Sequence, residues 1–366
     1  MGQRVMNGYF HVLKKIDIFV LCFMCVLTRL SESLNKKQKR GFLFALGLIA
    51  LISLLEVVTL KVDGLPKKFR WINIVSNYLG FGLTPWVCIC LVYVLDKKTK
   101  LRWEFKLAIL CELIYLLILS LSIPSGLVFS VSQENIYSRG PYFFIYIFAY
   151  FISIFYLSLS TIFVSKQFQN RSKALVYSLM IFLGAETIIL ILVPDLHVSW
   201  LCVTLLSDLY FIYCSEMWNQ LDGLTGLSNQ NSFLNRSEEM YYTNGMLFVF
   251  DVDDFKHVND VYGHVKGDLC LSIIADCFKK AYAKYGYCYR VGGDEFCVLL
   301  KNSRNEEACS VQFESFIKKK RNKYTYLPSV SYGSALLLMG DIVSVKDLAD
   351  QNMYSNKQKH KRKKGQ

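Results

Sequence analysis

Apolar positions fall into two regimes along the chain. Up to about Tyr213 they form long blocks, and after Leu221 they come as short runs broken by turn residues and charges. Six blocks, 41–60, 72–95, 105–123, 142–164, 174–193 and 198–213, reach or approach the roughly 20 residues that a helix needs to cross the hydrocarbon of a bilayer. A seventh, 16–28, is shorter. It spans only if its helix runs back over Lys14 and Lys15 and those side chains reach out to the interface; otherwise it lies flat on the surface. The pattern predicts an all-α polytopic bundle of six or seven transmembrane helices over residues 1–213. A short helical linker over 214–221 follows, with no Pro or Gly to interrupt it. Trp71, Trp86, Trp103 and Trp200 fall near span ends, where an interfacial belt places them.

Composition and charge sharpen this division. With 53% apolar and 19% charged residues, the chain is too apolar for an ordinary soluble enzyme, which carries about 25% charge. Of the formal +13, most lies in the apolar half: 21 basic against 12 acidic residues up to Leu221, and 21 against 17 after it. The loops 29–40, 97–106 and 166–173 hold 13 Lys and Arg together, and the alternating loops 61–70, 124–141 and 194–199 hold 5. Basic residues collect on the cytoplasmic side, so everything after Tyr213 is assigned to the cytoplasm. The charge excess thus reads as topology and contact with a lipid bilayer, with no nucleic acid as partner. The run 318–321 with Lys323 reads as a solvated helix end. The basic stretch 357–364 reads as a solvated tail, with contact to anionic lipid as the alternative, and 362–366 is set apart as tail. Twelve scattered cysteines have no zinc-ligand context and read as reduced thiols, with no disulfides expected. Glu56, Glu112 and Glu186 fall inside the expected spans and Asp208 in the last, costly positions that suit a ligand, proton or partner role or hydrogen bonds between helices.

The second half alternates helical and strand patterns. Met246 to Phe250 reads as a strand ending at Asp251-Val252-Asp253-Asp254, followed by Phe255 and Lys256. Residues 287–291 and 296–300 read as a hairpin across Gly292 and Gly293, with Asp294 and Glu295 at its tip. If these strands pair, Asp251 meets Asp294 and Glu295 on one face. Hard oxygen ligands at a strand end suit Mg²⁺, whose shell is completed by water and substrate phosphates.

In this order the motifs resemble a known family. Asp222-Gly223-Leu224-Thr225-Gly226-Leu227 with Asn229 is similar to the DxLTGLxN motif that opens the GGDEF domain of diguanylate cyclases. The series Asp251-Val252-Asp253-Asp254-Phe255-Lys256, Asn259-Asp260, Gly263-His264 and Gly267-Asp268 matches DxDxFKxxNDxxGHxxGD, and Arg290 precedes the signature Gly292-Gly293-Asp294-Glu295-Phe296. Ser331 to Ala335 and Asp350 to Lys357 are similar to SxGxA and DxxxYxxK. The resemblance covers 222–361 and not the apolar half.

The resemblance implies an α+β palm-like nucleotidyl cyclase domain with a central, mainly antiparallel sheet over 222–361. It implies condensation of two GTP into cyclic di-GMP across a homodimer of catalytic domains, at a bacterial inner membrane, regulated by an unknown signal through the membrane domain. It assigns Asp251, the Val252 carbonyl, Asp294 and Glu295 to metal, two Mg²⁺ or Mn²⁺ per active site. Asp294, Glu295 and Lys256 take catalytic roles, with Asp294 as base for the 3′-hydroxyl and Lys256 on the phosphates. Substrate contacts fall to Asn259, His264, Asp268, Arg290, Gly292, Gly293 and Lys357, with Asn259 and Asp268 reading guanine. Asp268 accepts from guanine N1–H and the 2-amino group, which adenine does not offer. A non-catalytic GTP-binding scaffold and a related cyclic dinucleotide product are the other readings. Three departures stand out. Gln230 replaces an Arg, Asn356 replaces a small residue before Lys357, and Ala283 and Gly286 stand where a product-inhibition RxxD would lie, so no feedback binding is expected there. The interval from Asn229 to Asp251 is short and implies a trimmed first helix.

Overall fold

The computed structural model describes residues 2–95, 103–167, 199–240, 243–337 and 342–364, with positions 177, 178, 181, 182, 184, 185 and 188. The chain divides into two compact units, Met1–Asn219 and Gln220–Gln366.

The described part of the first unit comprises helices α1 (Gly2–Leu30), α2 (Lys36–Val62), α3 (Arg70–Leu95), α4 (Trp103–Ser125), α5 (Phe144–Gln167) and α6 (Ser199–Asn219). Between α4 and α5 stands a small antiparallel hairpin of β1 (Phe129–Val131) and β2 (Tyr137–Arg139). Among the described residues, four helices, α2 to α5, are long and apolar enough to cross a membrane. The expected span 174–193, with Glu186, lies largely outside the described residues, as do most of loops 97–106 and 166–173. The expected span 198–213 does form a helix, α6, continuous through Asn219, but α6 is not among those four. Its polar residues Thr204, Ser207 and Asp208 lower its hydropathy.

Large apolar side chains face outward. On α4, Leu107, Leu110, Leu113, Leu117 and Leu121 are exposed while Glu112 and Ser122 are buried. On α5, Phe144, Phe148, Phe151 and Phe155 are exposed. A water-soluble bundle reverses this arrangement, hiding leucine and phenylalanine from solvent. The short segment 16–28 belongs to the long helix α1, which does run back over Lys14 and Lys15. Lys14 does not reach outward as expected: its ammonium is buried and pairs with Glu56 of α2 at 2.5 Å.

The second unit is α+β. In chain order it holds α7 (Gln230–Glu239), β3 (Met246–Val252), α8 (Phe255–Tyr262), α9 (His264–Tyr282), β4 (Gly286–Arg290), β5 (Glu295–Leu300), α10 (Glu306–Lys323), β6 (Val330–Leu336) and α11 (Ile342–Lys364). The strands form one antiparallel sheet in the order β4-β5-β3-β6. Side chains alternate across a strand, so β3 feeds two cores. Met246, Phe248, Phe250 and Val252 pack with α9 and α10 residues such as Phe278, Tyr282 and Phe313. Leu247 and Val249 join Phe233 of α7 and Val345 and Ala349 of α11 on the other face. Gly333 in β6 lets α11 lie close, since a Cβ there would stand 2.2 Å from the Met353 nitrogen. The basic run 318–321 ends α10, its Lys318 and Lys319 exposed. The stretch 357–364, expected as an unstructured tail, is instead the helical end of α11. All twelve cysteines are free thiols.

Phe250 is fully buried, with ring centroids at 4.6 Å from Phe278 and 5.3 Å from Phe313. Phe250→Ala is expected to destabilise the second unit by about 3–5 kcal/mol, read as a lowered midpoint in denaturant unfolding; an unchanged midpoint would contradict this packing.

Candidate active site

Near the C-terminus of β3 the burial is relieved at Asp251 while Val252 stays buried, and the chain then turns. Met246 to Phe250 are all buried, Asp251 is half-buried and Asp254 is exposed. Asp254 adopts φ +53° and starts α8, a left-handed position that aspartate tolerates better than most residues. Pairing with β5 sets Asp251 opposite Glu295, so both side chains leave the same face of the sheet. The Val252 amide donates to the Asp294 carbonyl at 3.2 Å, which brings Asp294 beside the end of β3. Asp251, Val252, Asp294 and Glu295 are therefore gathered at one end of two adjacent strands. Glu295 is not at the hairpin tip, as the sequence suggested; it is the exposed first residue of β5.

Lys357 comes to the same place from α11. Its ammonium donates to Asp251 and lies 4.0 Å from Asp253. Burial alone would lower the Lys357 pKa, but the hydrogen bond to Asp251 and the charges of Asp251, Asp253 and Asp294 outweigh it and raise the value. Asn356 contributes here: its side-chain amide donates to the Tyr332 carbonyl at 3.0 Å and fixes this turn of α11 to β6. Asp253 is buried and accepts from Ser329 at 2.6 Å and Ser331 at 2.8 Å, so it acts within the fold, bracing the turn after β3. The sequence signal for this pairing is Ser331 in the SxGxA-like stretch.

Asn259 of α8 lies against Gly267, the residue before Asp268, in the first turns of α9. Gly267 is buried there, and a Cβ on it would stand 1.9 Å from the Asn259 side-chain oxygen. Only glycine lets Asn259 press against the backbone next to Asp268. Asp268, Lys256 and His264 are exposed, as is Gly293, and Gly292 is half-buried.

Arg290, which the resemblance places on phosphate, is engaged within the fold. Its guanidinium donates to Asp222 at 3.1 and 3.2 Å and to the Gly293 carbonyl at 2.7 Å. The fork is thus used in fastening the start of the unit to the glycine turn, a role for Asp222 that sequence reasoning missed. Burial would raise the Asp222 pKa, but the Thr225 hydroxyl and amide together with Arg290 lower it.

No three carboxylate, imidazole or thiol groups among the described residues are poised to hold an ion by themselves. The donor set fits a divalent cation that arrives with phosphate oxygens and keeps waters, as Mg²⁺ usually does.

Asp222→Ala is expected to cost about 1.5–3 kcal/mol of stability, and adding Arg290→Ala should cost less than the separate sum, as a double-mutant cycle measures. Because the folded pKa of Asp222 is depressed, its contribution is fully present above about pH 4 and is lost as pH falls through the folded value. Asp222→Asn should flatten the acid side of the stability profile.

Residues 219–363 match the family described as "Diguanylate cyclase, GGDEF domain". The chain is 36% identical over 104 residues to diguanylate cyclase DgcZ of Escherichia coli (strain K12), covering 27% of this chain and 35% of that protein. It is 33% identical over 153 residues to diguanylate cyclase DgcN of the same organism, covering 37% and 36%. Among solved structures, it is similar to the coiled coil and GGDEF domain of DgcB from Caulobacter crescentus in complex with c-di-GMP, at 25% identity and TM-score 0.34, covering 38% of this chain and 81% of that one. The aligned region spans about a third of the two Escherichia coli relatives. Residues 219–363 of this chain are a GGDEF domain.

Proposed function

We propose that the protein is a membrane-embedded diguanylate cyclase that condenses two GTP into cyclic di-GMP. The observation that carries this reading is the meeting of Asp251, Asp294, Glu295 and Lys357 at the ends of β3 and β5, with Asn259 packed on Gly267 beside Asp268. The relatives' names support the reaction. Outward-facing leucines and phenylalanines on α4 and α5 support membrane embedding, and the loop charges support a cytoplasmic catalytic unit.

In the reaction, the 3′-hydroxyl of one GTP attacks the α-phosphate of the other. A new P–O bond forms, the bond to the β-phosphate breaks and pyrophosphate leaves; repetition with the roles exchanged closes the ring. One GTP is held per domain, so the site needs a second copy of the chain, facing the first. Asn259 and Asp268 orient guanine. Lys256, exposed on the first turn of α8, and Lys357 balance charge on the phosphates, a positioning and electrostatic contribution. Asp251, the Val252 carbonyl, Asp294 and Glu295 would hold divalent metal, which supplies charge neutralisation at the reacting phosphate. Asp294 takes the proton of the attacking hydroxyl. Signals reach this unit through the helical half.

Asp294→Asn in the full-length protein should lower cyclic di-GMP formation by roughly 10²–10⁴-fold, assayed by nucleotide chromatography with GTP and Mg²⁺ or Mn²⁺. Asp268→Asn should weaken selection of GTP over ATP. Undiminished product from Asp294→Asn would sink the assignment.

A further inference from the structure

Helix α1 is turned inside out. Lys14, Asp17, Leu21, Met24 and Thr28 form its buried stripe, whereas Ile16, Ile18, Phe19, Phe23 and Val26 are exposed. The two ionisable residues of this stripe are used up in contacts with two other helices. Asp17, only 1% exposed, accepts from Ser53 of α2 at 2.7 Å and from Thr204 of α6 at 2.6 Å, one bond to each carboxylate oxygen. Lys14 donates to Ser53 at 3.0 Å and to Glu56 at 2.5 Å. About three helical turns further along α6, Ser215 shares a hydrogen bond of 2.5 Å with Ser33, in the loop that follows α1. Between these ties Phe42 of α2 packs on Tyr210 and Phe211 of α6, with ring centroids 6.2 and 5.5 Å away.

A polar seam of this kind behaves differently from an apolar one. Apolar helices slide past one another with little change in contact energy, but a buried carboxylate is either fully paired or costly. Releasing α6 from Asp17 therefore carries a definite cost. The grip also lies on the element that leads into the catalytic unit. Helix α6 ends at Asn219, and the next residue is already fastened: the Gln220 carbonyl accepts from the Asn229 amide and the Ser232 hydroxyl, both at 2.9 Å. In sequence, the gripped helix is followed directly by the first hydrogen-bonded residue of the second unit.

We propose that α1 is a clamp on α6, and that the Asp17–Thr204 contact is the regulatory input by which the helical half sets the output of the catalytic half. The output side of this proposal rests on the cyclase reading; the clamp itself rests on the geometry of the first unit.

The full-length protein supplies its own probe. Cys214 on α6 is fully buried next to Ser215, and Cys288 is buried in the sheet core of the second unit. Asp17→Asn and Thr204→Val, the latter keeping shape and losing only the hydroxyl, should raise N-ethylmaleimide labelling of Cys214 roughly tenfold by local opening while leaving Cys288 protected. Both should also shift the rate of cyclic di-GMP formation several-fold. Cys214 protected as in the unaltered protein in both variants overturns the clamp, and Cys214 opened with an unchanged rate overturns its regulatory role. Unaltered protein that makes no product contradicts the cyclase reading instead, and the labelling then still decides whether the clamp exists.

Discussion

Strand β3 has helices packed on both of its faces, so its residues from Met246 to Phe250 have no path to water. At Asp251 this burial is relieved on the face shared with Leu247 and Val249, while Val252 on the other face stays buried. The rest of the catalytic unit follows from that constraint. Antiparallel pairing fixes β5 by register, and register fixes Glu295 opposite Asp251. A slip of one residue would turn the acids to opposite faces and bury one of them among Phe248 and Phe250. The rigid core thus works as a ruler for the acidic end of the sheet.

Around this end, charges are arranged in two layers. Lys357 lies on Asp251, while Asp253, Ser329 and Ser331 form a buried polar brace beneath the turn. The Arg290–Asp222 pair works at a greater remove. It joins the first residues of the domain to the glycine turn that precedes Asp294, so the position of the turn depends on how the chain enters the domain. Gln220, also at that entrance, continues directly from α6.

Much of the catalytic unit was legible in the sequence because its information is local. The run Met246 to Phe250, the glycine pair and the acids each carry their own pattern, and their order carries the resemblance. What was not legible depends on distant partners. No spacing rule links Asp222 to Arg290 across 68 residues, and their ion pair shows only in the fold. Asn356, read as a departure, turned out to anchor α11 on β6. In the helical half, the length of the apolar runs found the blocks that became α2 to α5, but block length could not say which way a side chain points. Lys14 was expected to reach outward because an ammonium in hydrocarbon is costly; Glu56 and Ser53, some forty residues on, remove that cost. The inside-out stripe of α1 is visible only once its neighbours are placed.

The central claim is that the acidic end of β3 and β5 performs nucleotide condensation. The most direct measurement is mass-spectrometric identification of what the purified full-length protein makes from GTP with a divalent metal. Cyclic di-GMP, with two pyrophosphates released for each ring closed, is the predicted result; GTP that is bound and recovered unchanged from a dimeric preparation would contradict it.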